Sequence, residues 1–159
     1  MSLGDWLRNS WLVEHKTSPE EIAALLAIVE RDPKNAQARS QLGDLYSGAE
    51  RFADAVKWYE ESLRLNPRDV TVSANLGFGY YQINEPDRAL KQLEQGLAID
   101  PKHVKTLFNL GVVRAFGKQD LVGATEAWRR VVEIAPESPE GQAAKMGLER
   151  IGASHPNLP

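Results

Sequence analysis

A repeat of 34 residues constrains this chain more than any other feature. From Ala36 to Pro67 its landmarks are Leu42-Gly43, Tyr46, Ala55, Tyr59, Leu63, Leu65 and Pro67. From Val70 to Pro101 they are Leu76-Gly77, Tyr80, Ala89, Leu93, Leu97, Ile99 and Pro101, each moved by 34 positions. A unit of this length holds two short helices and their connections. It cannot bury its apolar face alone, so stacked neighbours must build the core. The implied fold class is all-α, an α-solenoid of antiparallel helix pairs with about nine helices in all.

The units are expected at 36–69, 70–103 and 104–137, with helices over 36–48, 52–65, 70–83, 86–99, 104–116 and 121–134. Pro67 and Pro101 end second helices, because the residue before a proline is pushed out of the helical region. The third unit keeps Leu110-Gly111, Ala124 and Pro136 but carries Arg114 where the tyrosine stood. Gly111 to Ala124 is one residue longer than Gly43 to Ala55, which places an insertion in the turn around Gly117 to Asp120. Gly43 and Gly77 sit in mid-helix, where glycine costs roughly 1 kcal/mol relative to alanine. A shared packing reason is expected: close approach of the paired helix, whose facing residues Ala55 and Ala89 are small. Tyr46 and Tyr80 would fill the space between helices.

Both ends read as helical. Leu3, Trp6, Leu7, Trp11 and Leu12 draw one apolar stripe over 2–15, either packing on the next helix or serving a dimer or membrane contact. Ser18-Pro19-Glu20-Glu21 is a helix start with a cap and a capping box. That helix runs to about Arg31, and its Leu25, Ile28 and Val29 match second-helix positions. Residues 1–35 are therefore a cap or a divergent repeat. Ser138-Pro139 starts a capping helix over 138–152, closed by Leu148 and Ile151, and 153–159 reads as a disordered tail.

The pattern Leu-Gly-x2-Tyr, Ala-x3-aromatic or leucine, then Pro, every 34 residues, resembles the tetratricopeptide repeat (TPR) family. The resemblance covers 36–136. The family's usual tryptophan at the fourth position is missing, with Arg39, Ser73 and Leu107 in its place. What the resemblance implies is a right-handed superhelix whose first helices line a concave wall, and a non-catalytic scaffold for protein–protein interaction. By the same analogy, bacterial chains of this type serve complex assembly or secretion.

Composition narrows the function classes. The 42% hydrophobic content suffices for a continuous core, and the net charge of −3 does not suit a generic polyanion binder. Six basic residues against three acidic ones between Lys102 and Ala135 leave that stretch at +3 and the rest at −6. Such asymmetry steers an acidic partner or simply marks a solvated surface. The chain has no cysteine, and His15, His103 and His155 lack partners at metal-ligand spacing. No nucleophile elbow or phosphate loop is present. Neither an enzyme, a cofactor, a metal nor nucleic acid is expected. The longest apolar run, Ile22 to Val29, is too short to span a bilayer. The compartment stays open between cytoplasm and periplasm, with room for an upstream signal or anchor.

A second stripe on the first helices supplies the candidate site: Asn75, Phe78 and Tyr81 in the second unit, Lys105, Phe108, Asn109 and Val112 in the third. The family resemblance turns this stripe toward the concave groove, where a partner's protein or peptide segment docks. Phe78, Tyr81 and Phe108 would then be apolar anchors, with Asn75 and Asn109 fixing the backbone and Lys105 meeting an acidic group. The competing reading makes Phe108 and Val112 inter-repeat packing and leaves the amides bonding inside the solenoid or to water. Some family members clamp a C-terminal carboxylate; Lys105 and Asn75 match two of those phases. Ser40, Asp44 and Asn109 do not, and Asp44 would repel a carboxylate. The alternative function is a self-assembling module, pairing through Trp6 and Trp11 or through the end helix, or one module of a larger membrane-tethered assembly factor. A monomer or weak homo-oligomer is expected.

Overall fold

Each first helix opens on a side chain that closes its N-terminus. In the computed structural model, which describes residues 18–159, these caps are Asn35, Asp69, His103 and Ser138. Asn35 Oδ1 accepts from the Ala38 N–H at 2.8 Å and Asp69 Oδ1 from the Val72 N–H at 3.0 Å. His103 Nδ1 accepts from the Thr106 N–H at 3.3 Å and Ser138 Oγ from the Gly141 N–H at 2.9 Å. Caps of this kind contribute about 0.5–2 kcal/mol each. His103 is thus a structural cap.

The caps start a regular series. The elements are α1 (Pro19–Arg31), α2 (Ala36–Gly48), α3 (Phe52–Leu65), α4 (Val70–Gln82), α5 (Pro86–Ile99), α6 (Val104–Val112), α7 (Leu121–Ile134) and α8 (Pro139–Ser154). Among the described residues there are eight helices and no strand. The stripe expected over 2–15, with Trp6 and Trp11, lies outside them. The helices pair as α2 with α3, α4 with α5 and α6 with α7, while α8 packs on α7 and α6. First helices α2, α4, α6 and α8 thus form one wall and second helices α1, α3, α5 and α7 the other.

The extra residue of the third unit is absorbed by the helix instead of the turn. After Val112 the chain winds as a π-helical turn over Val113–Gly117, and the Lys118 N–H reaches back to Val113 O at 3.0 Å. The closing bonds show where the residue went. Arg51 N–H donates to Tyr46 O and Glu85 N–H to Tyr80 O, each across five residues, whereas Asp120 N–H donates to Arg114 O across six. All three turns then pass through one left-handed residue: Glu50 at φ 58°, Asn84 at 62° and Gln119 at 56°. Asparagine tolerates that region better than glutamate does. Replacing Glu50 with glycine is therefore expected to stabilise the chain by about 0.5–1 kcal/mol. A melting temperature at or below the parent's would show that the turn holds no strain.

Two apolar clusters fill the space between the walls. One joins Val56 and Tyr59 of α3, Leu76 and Tyr80 of α4 and Leu93 of α5 to Leu110 of α6 and Val113. The other joins Leu107, Phe108 and Val112 of α6 to Trp128 and Val131 of α7 and to Ala143, Ala144 and Ile151 of α8. Tyr81 and Leu97 pack against both, which makes the core continuous. α1 contributes no buried side chain and leaves Leu26 exposed. At the C-terminal end the last helix runs past residue 152, the end expected from the sequence. α8 continues to Ser154, the Leu158 N–H donates to His155 O at 3.0 Å, and Leu158 packs on the second cluster.

Candidate functional site

Three of the expected site residues share one face of α4. Asn75, Phe78 and Tyr81 are successive turns apart, and all three are half-buried. Phe78 stands at 6.3 Å from Tyr81, ring centre to ring centre, and meets the edge of Phe52 at 6.4 Å and 86°. Such edge-to-face pairs are favourable beyond the area they bury. Phe52, from the start of α3, was not among the residues expected from the sequence. Its phase is held by Pro86 and Leu121 in the later units, so no repeated aromatic signals it. Burial alone raises the Tyr81 phenol above its ordinary range.

Three other residues do not join this ledge. Phe108 is 1% exposed and stacks on Trp128 with centroids 6.2 Å apart, and Val112 is 2% exposed. Both belong to the cluster that α8 completes with Ala143 and Ala144. Asn109 is also buried, and its Nδ2 donates to Ala74 O of α4 at 3.1 Å. That bond ties the third unit to the second and takes the amide away from a ligand. Phe108, Asn109 and Val112 are thus buried between helices and stand off the ledge. Ala143 and Ala144 of α8 pack in one cluster with Phe108 and Val112.

The polar part of the wall is organised by Asp44 of α2. Its Oδ1 accepts from the Tyr59 hydroxyl at 2.8 Å and from Asn75 Nδ2 at 3.1 Å. Tyr59 is itself a core residue, and desolvation followed by the Asp44 charge raises its phenol far above the ordinary range. Lys105 of α6 is half-buried. Desolvation lowers its ammonium below the usual lysine range, while the charges of Asp44 and Glu140 work in the opposite direction. The expected residues Asn75 and Lys105 therefore meet an acidic neighbour in Asp44.

On the second-helix side a crevice is lined by Glu60, Leu63, Arg64, Pro67, Leu76, Tyr80, Gln92 and Gln95. Two of its polar groups, Tyr80 and Glu60, pair with each other. The Tyr80 hydroxyl donates to Glu60 Oε1 at 2.6 Å. Arg88 donates to Glu60 at 2.8 Å and to the Tyr80 oxygen at 2.9 Å, with its guanidinium 4.1 Å above the Tyr80 ring. Burial and the Glu60 carboxylate push the Tyr80 phenol up to about 12. Among the described residues no group of three His, Asp or Glu side chains could hold a metal ion, and no helix is long and apolar enough to cross a membrane.

Comparison with known proteins agrees with this architecture. Two family models described as Tetratricopeptide repeat match residues 22–70 and 47–110. No curated protein sequence matches the chain. Among solved structures, the MamA RS-1 ArsTM double mutant superposes with a TM-score of 0.76 at 21% identity, covering 99% of this chain and 88% of that one. The Sgt2 TPR domain from Aspergillus fumigatus gives 0.68 at 24% identity, covering 75% and 78%. The first TPR of Spaghetti (RPAP3), bound to the HSP90 peptide SRMEEVD, gives 0.68 at 21% identity, covering 77% and 94%. At these identities the likeness is one of fold: a right-handed superhelix of helix pairs. Repeats of this kind are generally non-catalytic scaffolds for protein–protein interaction. The matched repeat models and the shared superhelix place the chain in the tetratricopeptide repeat family.

Proposed function

We propose that the chain binds an extended or helical segment of a partner protein along its first-helix wall, the concave side of the superhelix. The observation that carries this reading is the half-buried aromatic ledge of Phe52, Phe78 and Tyr81, with Asn75 one turn before Phe78 on α4 and bonded to Asp44. Aromatic anchors next to a few placed polar groups are the usual makings of a binding hot spot. The RPAP3 domain that shares the fold is itself bound to a peptide.

A variant carrying Phe78→Ala and Tyr81→Ala is expected to lose the partner captured by the parent protein from native lysate. Both rings are half-buried, and Tyr81 also packs on both clusters, so the melting temperature should fall while the helices stay folded at the assay temperature. A partner held equally by the folded variant would move the site to the ends or to the second-helix face. A variant that fails to fold would make these rings core residues.

Self-assembly is the second reading, favoured by α1, which buries no side chain and exposes Leu26. Light scattering across a concentration range separates the two, since a strict monomer rules self-assembly out.

A further inference from the structure

The groove's charge points away from the ligand that Lys105 alone suggests. We infer that the first-helix wall selects a partner segment carrying a cationic side chain, an arginine above all, and disfavours an acidic segment or a terminal carboxylate. This inference rests on the groove reading above and names the chemistry of its ligand.

Asp44 is a placed carboxylate rather than a freely rotating one. The Tyr59 hydroxyl and the Asn75 amide both donate to its Oδ1, and neither bond uses Oδ2. Tyr59 is 2% exposed and its ring lies against Gly43, so the core sets the position of that hydroxyl. The carboxylate is nevertheless exposed. One amide hydrogen of Asn75 is committed to Asp44, which removes a donor that an incoming carboxylate would need. Lys105 does not reverse the sign. Its ammonium lies in the field of both Asp44 and Glu140, and one cation between two carboxylates leaves an excess negative charge.

A carboxylate alone attracts any cation; the adjacent rings make the preference sharper. Phe78 lies one turn beyond Asn75 on α4, with Phe52 and Tyr81 against it. Ring faces attract cations, and a guanidinium can stack on a ring while it bonds a carboxylate through its planar fork. The chain already uses this chemistry on its other wall. There Arg88 lies over the Tyr80 ring at 4.1 Å and pairs with Glu60 at 2.8 Å. On the first-helix wall the partner would bring the arginine.

The test is selection from a displayed library of short random peptides by three folded proteins: the parent, Asp44→Asn, and the double variant Phe78→Ala/Tyr81→Ala. Asparagine keeps an acceptor for Tyr59 and Asn75, so the fold should persist, and equal melting temperatures would confirm it. The parent should enrich peptides that combine arginine or lysine with apolar residues. A synthetic peptide from that pool should bind Asp44→Asn about tenfold more weakly, the loss expected when a charge-assisted bond becomes neutral. Its arginine-to-glutamate version should bind the parent more weakly still.

If the pool is acidic, or binds Asp44→Asn as well as the parent, while still requiring Phe78 and Tyr81, the cation preference is wrong and the groove stands. Enrichment indifferent to those two rings, or no enrichment at all, overturns the groove reading and this inference with it.

Discussion

Trp128→Ala should lower the stability of the chain by about 3–5 kcal/mol, the range measured for truncating a large buried aromatic. The ring is 1% exposed and carries the junction of three helices. It faces Gly111 of α6 on one side. On the other, a Cβ placed at Gly147 of α8 would stand 2.6 Å from Trp128 Cζ3. Phe108 stacks on it, and the indole Nε1 donates to Phe108 O at 3.1 Å. Truncation to alanine therefore leaves a cavity between helices whose glycines have no side chains to fill it. Solenoid stability is roughly a sum of unit and interface terms, so the damage should concentrate in α6, α7 and α8. Thermal melts followed by circular dichroism give the size, and amide exchange gives the location. A melting temperature close to the parent's would show that this junction does not hold the C-terminal units together.

Gly77→Leu probes the opposite error, too much volume. A Cβ at Gly77 would lie 2.7 Å from both Cγ and Cδ2 of Leu93, and Leu93 is wholly buried. Ala89 O is 3.5 Å away, so the helix backbones are also near. Overpacking of this kind costs about 1–3 kcal/mol, and the gain in helix propensity, roughly 1 kcal/mol, offsets only part of it. Gly77→Leu should therefore melt below the parent. Combining it with Leu93→Ala should recover part of the loss, because the two side chains compete for one space. Simple addition of the two single effects would show that they do not share a contact.

The glycines were expected to answer to the small facing residues Ala55 and Ala89. The close approach is real, but the atoms that fill it differ. Gly43 faces the Tyr59 ring, Gly77 faces Leu93 and Gly111 faces Trp128. Each is the large residue four positions after the alanine, so the glycine is a socket for a knob of the partner helix. The repeat pattern already pairs these positions, since it carries an aromatic or leucine at that phase. What periodicity lacked was the direction of the side chain, which depends on the angle between the paired helices.

The candidate site was legible to a lesser degree, and Asn75 and Asn109 show why. They hold the same phase of the repeat, yet Asn75 is half-buried on the wall and Asn109 is 3% exposed inside it. Phe78 and Val112 are divided in the same way. Phase specifies a direction around a helix axis, and equal phases predict equal exposure only if every unit has equal neighbours. The third unit has α8 beside it, whose Ala143 and Ala144 pack in one cluster with Phe108 and Val112. Asp44 illustrates the same limit from the other side. As a residue type it signalled only the failure of a carboxylate clamp. Its fixed position became visible once Tyr59, fifteen residues later, and Asn75, thirty-one residues later, were seen to converge on it.

Local rules accounted for the helices, their ends and their pairing. A 34-residue period, prolines after second helices and mid-helix glycines repeat in the chain itself, and short-range geometry turns them directly into antiparallel pairs. Folding in three dimensions settled the rest: the π-helical turn that absorbs the extra residue, the burial of Phe108, Asn109 and Val112, and the placing of Asp44. Each depends on contacts between units, where the outcome rests on how close two helices come, and one sequence read along its length carries no measure of that distance.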